Sequence, residues 1–163
     1  MSIRYNFNYC LAVFLAAFTS VVCQASENLS SVLEQSNLKK AIYCMEILES
    51  RNDIKPLKRI EILRNECYHE DFIEHSPNIE GGREGLLKLL VKRYKKYPEL
   101  SMSIKRSASD GDLVWLHLHV RHTTDAIGGA AVQIFRMKDG KVSEHWGVGQ
   151  RVPEKSLNNN TMF

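Results

Sequence analysis

The sequence predicts an α+β fold in which three N-terminal helices pack on one face of an antiparallel sheet. Apolar residues recur at helical spacing as far as Pro98 and at every second position beyond it. Asp110-Gly111 and Asp139-Gly140 separate the alternating segments, as hairpin turns require. Strands and helices do not alternate, and no GxGxxG or Walker-type loop occurs, which excludes the nucleotide-binding α/β folds.

The elements follow in order. Leu38, Ile42 and Met45 mark a first helix that ends near Arg51-Asn52-Asp53. Pro56 suits the first turn of a second helix, whose stripe of Ile60, Leu63 and Cys67 runs on to Tyr68. Asp71 to His75 reads as a short strand, stopped by Ser76-Pro77. Gly81-Gly82 leads into a third helix that Pro98 terminates. There Leu87, Leu90, Val91 and Tyr94 form the apolar stripe, and Lys88, Lys92, Arg93, Lys95 and Lys96 form a solvated basic face. The strands are Ser101 to Ser109, Leu113 to Thr123, Ala130 to Lys138 and Val142 to Arg151, with Ile127-Gly128-Gly129 turning between the second and third of them.

The 163 residues are 44% hydrophobic and 25% charged with a formal net charge of +3, the proportions of one globular domain. Charges of both signs are scattered, which argues against nucleic acid as a partner. Residues 1–25 stand apart. Arg4 is their one charged group, Cys10 to Phe18 is unbroken apolar sequence, and Cys23-Gln24-Ala25 offers a small-residue exit. This pattern reads as a signal peptide cleaved before Ser26, giving an exported protein, periplasmic or secreted, with no stable membrane association after cleavage. A spanning helix needs about 20 apolar residues, and Asn6, Asn8, Thr19, Ser20 and Gln24 interrupt this one. Residues 26–37 then form a polar lead-in and 38–163 the domain. Cleavage leaves Cys44 and Cys67, either a disulfide between two helices or two buried thiols. Neither their spacing nor any Cys/His pattern predicts a metal site.

Histidines carry the candidate chemistry. On the strand from Leu113, the residues Val114, Leu116, Leu118 and Val120 share one apolar face, while Trp115, His117 and His119 share the other, as a pocket wall or a subunit-facing surface. On the last strand His145, Gly147 and Gly149 share a face whose glycines leave open space. Gln133 lies with Ala131 and Phe135 on the strand beside it. His75 closes the segment Tyr68 to Pro77.

Tyr-His-Glu-Asp-Phe-Ile-Glu-His-Ser-Pro at 68–77, Asp110-Gly-Asp-Leu-Val, Val132-Gln-Ile-Phe-Arg, Asp139-Gly-Lys-Val-Ser-Glu-His-Trp, Gln150 with Pro153, and Asn160-Thr-Met-Phe together resemble a SnoaL-like, polyketide cyclase-like member of the NTF2-like superfamily. The resemblance spans 38–163. It implies a cone in which the helices sit inside a curved antiparallel sheet, with a deep pocket and a homodimer formed through the sheet. It also implies ring closure by intramolecular aldol chemistry without a cofactor, on a small apolar or carbonyl-containing molecule. Such chemistry needs a base for an acidic C–H proton and a donor for the enolate. In that family the segment matching Glu144-His-Trp-Gly ends in an aspartate, the proposed acid/base. Here Gly147 stands in its place, and Gln133 replaces a second aspartate. The missing carboxylate points to a binding or catalytically degenerate member. The alternative is a lyase, isomerase or aldol-type cyclase using His75 or His145 as base, with Trp115, His117, His119, Gln133 and Phe135 holding the ligand.

Overall fold

Helix α1 runs from Phe7 to Glu49, α2 from Pro56 to Ile62 and α3 from Gly82 to Lys96 in the computed structural model, which describes the backbone of residues 7–163 and side chains from 28 onward. Helix α1 passes straight through 26–37, the expected lead-in. No Gly or Pro occurs between Phe7 and Glu49, so nothing interrupts the hydrogen-bond ladder. The expected leader falls on residues whose side chains lie outside the described set, and 1–6 lie outside it altogether. The chain divides into two units, Met1–Leu33 and Glu34–Phe163, and the second holds the sheet and the site. No helix among the described residues is long and apolar enough to cross a membrane.

The C-terminal end of α1 is held by side chains from elsewhere. Helix ends leave carbonyls without intrahelical partners. Here Arg59, 3% exposed, donates to the Ile47 and Leu48 carbonyls. The Tyr94 hydroxyl donates to the Leu48 carbonyl at 2.8 Å while the Arg59 guanidinium lies 4.0 Å over the Tyr94 ring. After α2 the chain makes one wide π-type turn, Leu63–Cys67, closed by the Tyr68 N–H on the Leu63 carbonyl. Cys67 is bonded to Cys44 of α1, with Cα atoms 5.5 Å apart. Closing that loop is worth roughly 3 kcal/mol on the chain-entropy estimate.

Five strands follow: β1 (Tyr68–Glu74), β2 (Ser101–Asp110), β3 (Leu113–Arg121), β4 (Gly129–Lys138) and β5 (Lys141–Arg151). Their order in the sheet is β1-β5-β4-β3-β2. The hairpins β2–β3, β3–β4 and β4–β5 are antiparallel as expected, and Asp139 and Gly140 both adopt positive φ in the last turn. The expected all-antiparallel sheet needs one correction, because β1 pairs with β5 in parallel and the sheet is mixed. Hairpin signals report only neighbours in sequence, and this pairing joins the first strand to the last.

Directly paired residues share a face, so the register defines one. Rows Val114–Phe135–His145, Leu116–Gln133–Gly147 and Leu118–Ala131–Gly149 lie on the concave side. Val114, Leu116 and Leu118 are fully buried there, in a cluster with Ala41, Cys44, Ile47, Leu87 and Leu90. Truncating one of these leucines to alanine costs about 2–5 kcal/mol. Helix α3 buries Leu86, Leu87, Leu90 and Tyr94, whereas Val91, expected in the stripe, is 44% exposed. With Leu86 in the stripe instead, Arg93 falls near its edge and turns inward, away from the expected basic face.

Candidate active-site cavity

Met45, Leu48 and Glu49 of α1, Leu90 and Arg93 of α3, and the concave residues of β4 and β5 surround a cavity of about 230 Å³. Its walls are mostly apolar, with polar groups on the sheet, Gln133 and His145, and on the helices, Glu49 and Arg93. This is the usual make-up of a small-molecule site.

His145 is the best-positioned of those polar groups. Glu74, the last residue of β1, lies opposite it across the parallel pairing, and both Glu74 carboxylate oxygens are 2.9 Å from His145 Nδ1. The Glu74 side chain is 0% exposed and the His145 side chain 15%. The same carboxylate accepts the Ser76 backbone N–H at 2.9 Å. With the Nδ1 proton committed to Glu74, Nε2 is turned to the Gln133 side-chain amide, which contacts it directly. An amide offers an oxygen in one orientation and an NH₂ group in the other. Gln133 therefore satisfies Nε2 whether that nitrogen carries a proton or a lone pair. Phe135 stacks on the ring at 5.3 Å and fixes its plane.

Gly147 explains how the array fits. A Cβ built there would lie 2.6 Å from Gln133 Oε1 and 3.2 Å from His145 Nε2. The absent side chain is thus the space that Gln133 and the imidazole occupy.

Tyr68, 3% exposed, lines the cavity at the start of β1 with its ring edge against Phe72. Burial, reinforced by Tyr94, Glu74 and Glu49, pushes its phenol far above the ordinary tyrosine range, so it stays a proton donor at neutral pH. At the other side of the cavity Arg93 Nη1 donates to Glu49 Oε1 at 2.6 Å, and the Glu49 side chain is only 4% exposed.

Of the residues singled out from sequence, the structure gathers His145, Gln133 and Phe135 in one place. His75 is not among the cavity-lining residues. Its Nε2 pairs with Glu144 at 3.0 Å, and its ring stacks on Trp146 at 4.4 Å, half exposed on the other side of the sheet. His117 and His119 also face that side, against the C-terminal Phe163 at 5.8 and 4.2 Å. His119 Nε2 further contacts the Ile127 carbonyl at 2.7 Å. Trp115 lies in their row, paired with Ile134. Glu74, Tyr68, Glu49 and Arg93 were missed. Alternation alone marks Glu74, since Phe72 must point inward and Glu74, two residues on, follows it. Glu49 likewise continues the spacing of Leu38, Ile42 and Met45 on the buried stripe of α1. Among the described residues no cluster of three or more His, Cys, Asp or Glu could hold a metal ion.

Residues 58–145 match the model of the SnoaL-like domain. The chain belongs to the SnoaL-like family. No curated protein matches it. Solved structures share the fold at low identity. A candidate SnoaL-like polyketide cyclase from Jannaschia sp. CCS1 is 17% identical over 71% of this chain and 86% of its own, with a TM-score of 0.56. A candidate ketosteroid isomerase from Kribbella flavida DSM 17836 is 16% identical over 80% and 89%, also at 0.56. TsrD from Streptomyces laurentii is 20% identical over 68% and 88%, at 0.51. The SnoaL-like domain here thus has the NTF2-like architecture of three helices and a curved, mixed five-stranded sheet.

Proposed function

We propose that this SnoaL-like protein is a cofactor-independent enzyme of the isomerase, lyase or aldol-cyclase type, with His145 as its base. The carrying observation is the buried Glu74 carboxylate on His145 Nδ1. In this reading the Nε2 lone pair takes a proton from the carbon next to a substrate carbonyl. Glu74 holds the ring in the required tautomer and stabilises the imidazolium that forms. Gln133 turns its amide oxygen to the new N–H, and the Tyr68 phenol is the donor available for the enolate oxygen. The aspartate that the family resemblance implies at position 147 is in this reading replaced by an imidazole on the same strand. Names such as polyketide cyclase and ketosteroid isomerase among the fold neighbours are in keeping with proton transfer beside a carbonyl.

The contact that Gln133 makes with Nε2 favours a second reading, an exported binding module. There the amide covers the base permanently and the cavity only holds a small carbonyl compound. Proton exchange separates the two. Purified protein is incubated in D₂O with a panel of cyclic 1,3-diketones and β-keto esters, and C–H exchange is followed by NMR. Acceleration over buffer that falls by about 10²-fold or more in His145→Gln supports the base. Binding with no acceleration supports the module.

Export is the natural setting for the Cys44–Cys67 bond, since disulfides persist in oxidising compartments. Exposed Val148 and Ile73, 72% and 50% accessible, support a homodimer formed through the outer face of the sheet.

A further inference from the structure

The Glu49–Arg93 pair does nothing in the proton transfer just described, yet it is built with care. Glu49 is the last residue of α1, and Arg59 and Tyr94 fix the turn that carries it. One carboxylate oxygen, Oε1, accepts from Arg93 at 2.6 Å. The other, Oε2, is buried and has no hydrogen-bond partner. Neither a neighbouring side chain nor bulk solvent satisfies it, and a buried acceptor left bare is destabilising. Burial pushes the Glu49 pKa up, against the opposing pull of Arg93 and Arg59.

The position of the pair is as informative as the missing bond. Glu49 and Arg93 line the 230 Å³ cavity and also a second cavity of about 560 Å³ beside it, and Met45, Ala131, Gln133 and Gly149 are shared as well. A ligand reaching His145 from the second cavity passes Glu49 and Arg93, which line both.

We propose that Glu49 is a specificity residue, and that its free oxygen accepts a hydrogen bond from a hydroxyl group on the ligand. Charge decides the chemistry. The pair is neutral overall, so a cation would meet Arg93 and a ligand carboxylate would meet Glu49. A neutral donor suits both. Combined with His145, this makes the ligand a hydroxylated carbonyl compound with an otherwise apolar body, its carbonyl toward His145 and its hydroxyl toward Glu49. The assignment of the carbonyl end rests on the function proposed above, whereas the hydroxyl contact stands on Glu49 alone.

Matched ketones test it without needing turnover. Binding of tetralone and of its derivatives hydroxylated at each ring position is measured by calorimetry on the purified protein. At least one hydroxylated isomer is expected to bind wild type roughly tenfold or more tightly than tetralone itself, the worth of a hydrogen bond to a charged group. That preference should disappear in Glu49→Leu/Arg93→Leu, which replaces both charges by apolar groups of similar bulk, the hydroxylated isomers then binding no more tightly than tetralone. Equal affinity for all the ketones in wild type overturns the proposal, whatever the variants do. So does a preference that survives in the double variant, or tighter binding of a carboxylated tetralone, which would assign the leading role to Arg93. Loss of exchange in His145→Gln with an unchanged hydroxyl preference in wild type would leave both assignments standing. A Glu49-dependent preference without any exchange would sink the catalytic reading and keep this one.

Discussion

The two faces of the sheet carry the same kinds of residue and treat them differently. Each has a histidine beside a glutamate: His145 with Glu74 on the concave face, and His75 with Glu144 on the convex one. The distances are nearly equal, 2.9 and 3.0 Å. The surroundings differ. The Glu74 side chain is wholly buried and its partner opens on a cavity, whereas Glu144 is shared with Arg136 at 2.8 Å and His75 is stacked on Trp146 near solvent. Water screens the outer pair, and removal of water strengthens the inner one. An imidazole–carboxylate contact is therefore ordinary surface architecture in one place and a candidate catalytic unit a strand's thickness away.

The sharpest way to break this comparison is to make the same change on both faces. Glu74→Gln keeps the size and removes the charge that stabilises an imidazolium, so C–H exchange is expected to fall roughly a hundredfold. Glu74→Asp should recover part of it, since the charge returns at a slightly longer reach. His75→Gln on the outer face should leave the exchange rate unchanged within error. Equal losses from Glu74→Gln and His75→Gln, read by the same NMR assay, would end the distinction.

Much of this was legible beforehand, and the parts that were not have physical reasons. The four sequential strands were marked by alternation and by Asp-Gly turns, because hairpin geometry is local. The parallel β1–β5 pair is not local, and neither is the Glu74–His145 contact it creates. His75 closes the motif and is the more conspicuous residue in sequence, yet the alternation Phe72, Glu74 against Ile73, His75 assigns the inner position to the carboxylate. The lysines around Arg93 in the sequence point to a solvated face. The inward turn of Arg93 follows from the buried glutamate at the end of α1, which a helix-by-helix reading does not bring near.

Gly147 offers a smaller effect. In Gly147→Asp the new Cβ lies 2.6 Å from Gln133 Oε1, the far end of a flexible side chain, so the amide must give way. The variant is expected to lose about 1–2 kcal/mol of stability by chemical denaturation, typical of an overfilled interior. Gln133→Ala in the same chain should restore most of it by emptying the space. A Gly147→Asp chain as stable as wild type would mean that the Gln133–His145 packing is looser than the geometry implies.

The smallest effect is the dependence of stability on pH, and here the two faces should differ in sign. Burial raises the Glu49 pKa above its ordinary 4.5, with Arg93 opposing, whereas hydrogen bonds from His75 and Arg136 lower that of Glu144. A carboxyl group with a raised folded pKa binds its proton more tightly when folded. Its favourable contribution is complete below the unfolded value and is lost as pH rises through the folded one. A carboxyl group with a lowered folded pKa behaves oppositely: its contribution is complete above the unfolded value and is lost as pH falls through the folded one. Removing the charge removes the slope. Relative to wild type, Glu49→Gln should therefore gain stability as pH rises from about 4.5, and Glu144→Gln should lose it as pH climbs toward that same point and hold level above it. Glu49→Gln also leaves Arg93 without its charged partner, an offset that is constant across this range because arginine does not titrate there. Denaturation midpoints measured from about pH 3 to about pH 7 give the slopes directly. Parallel slopes in the two variants would mean that burial does not separate the two carboxylates, and with it would go the physical basis for treating the concave face as the chemically distinct one.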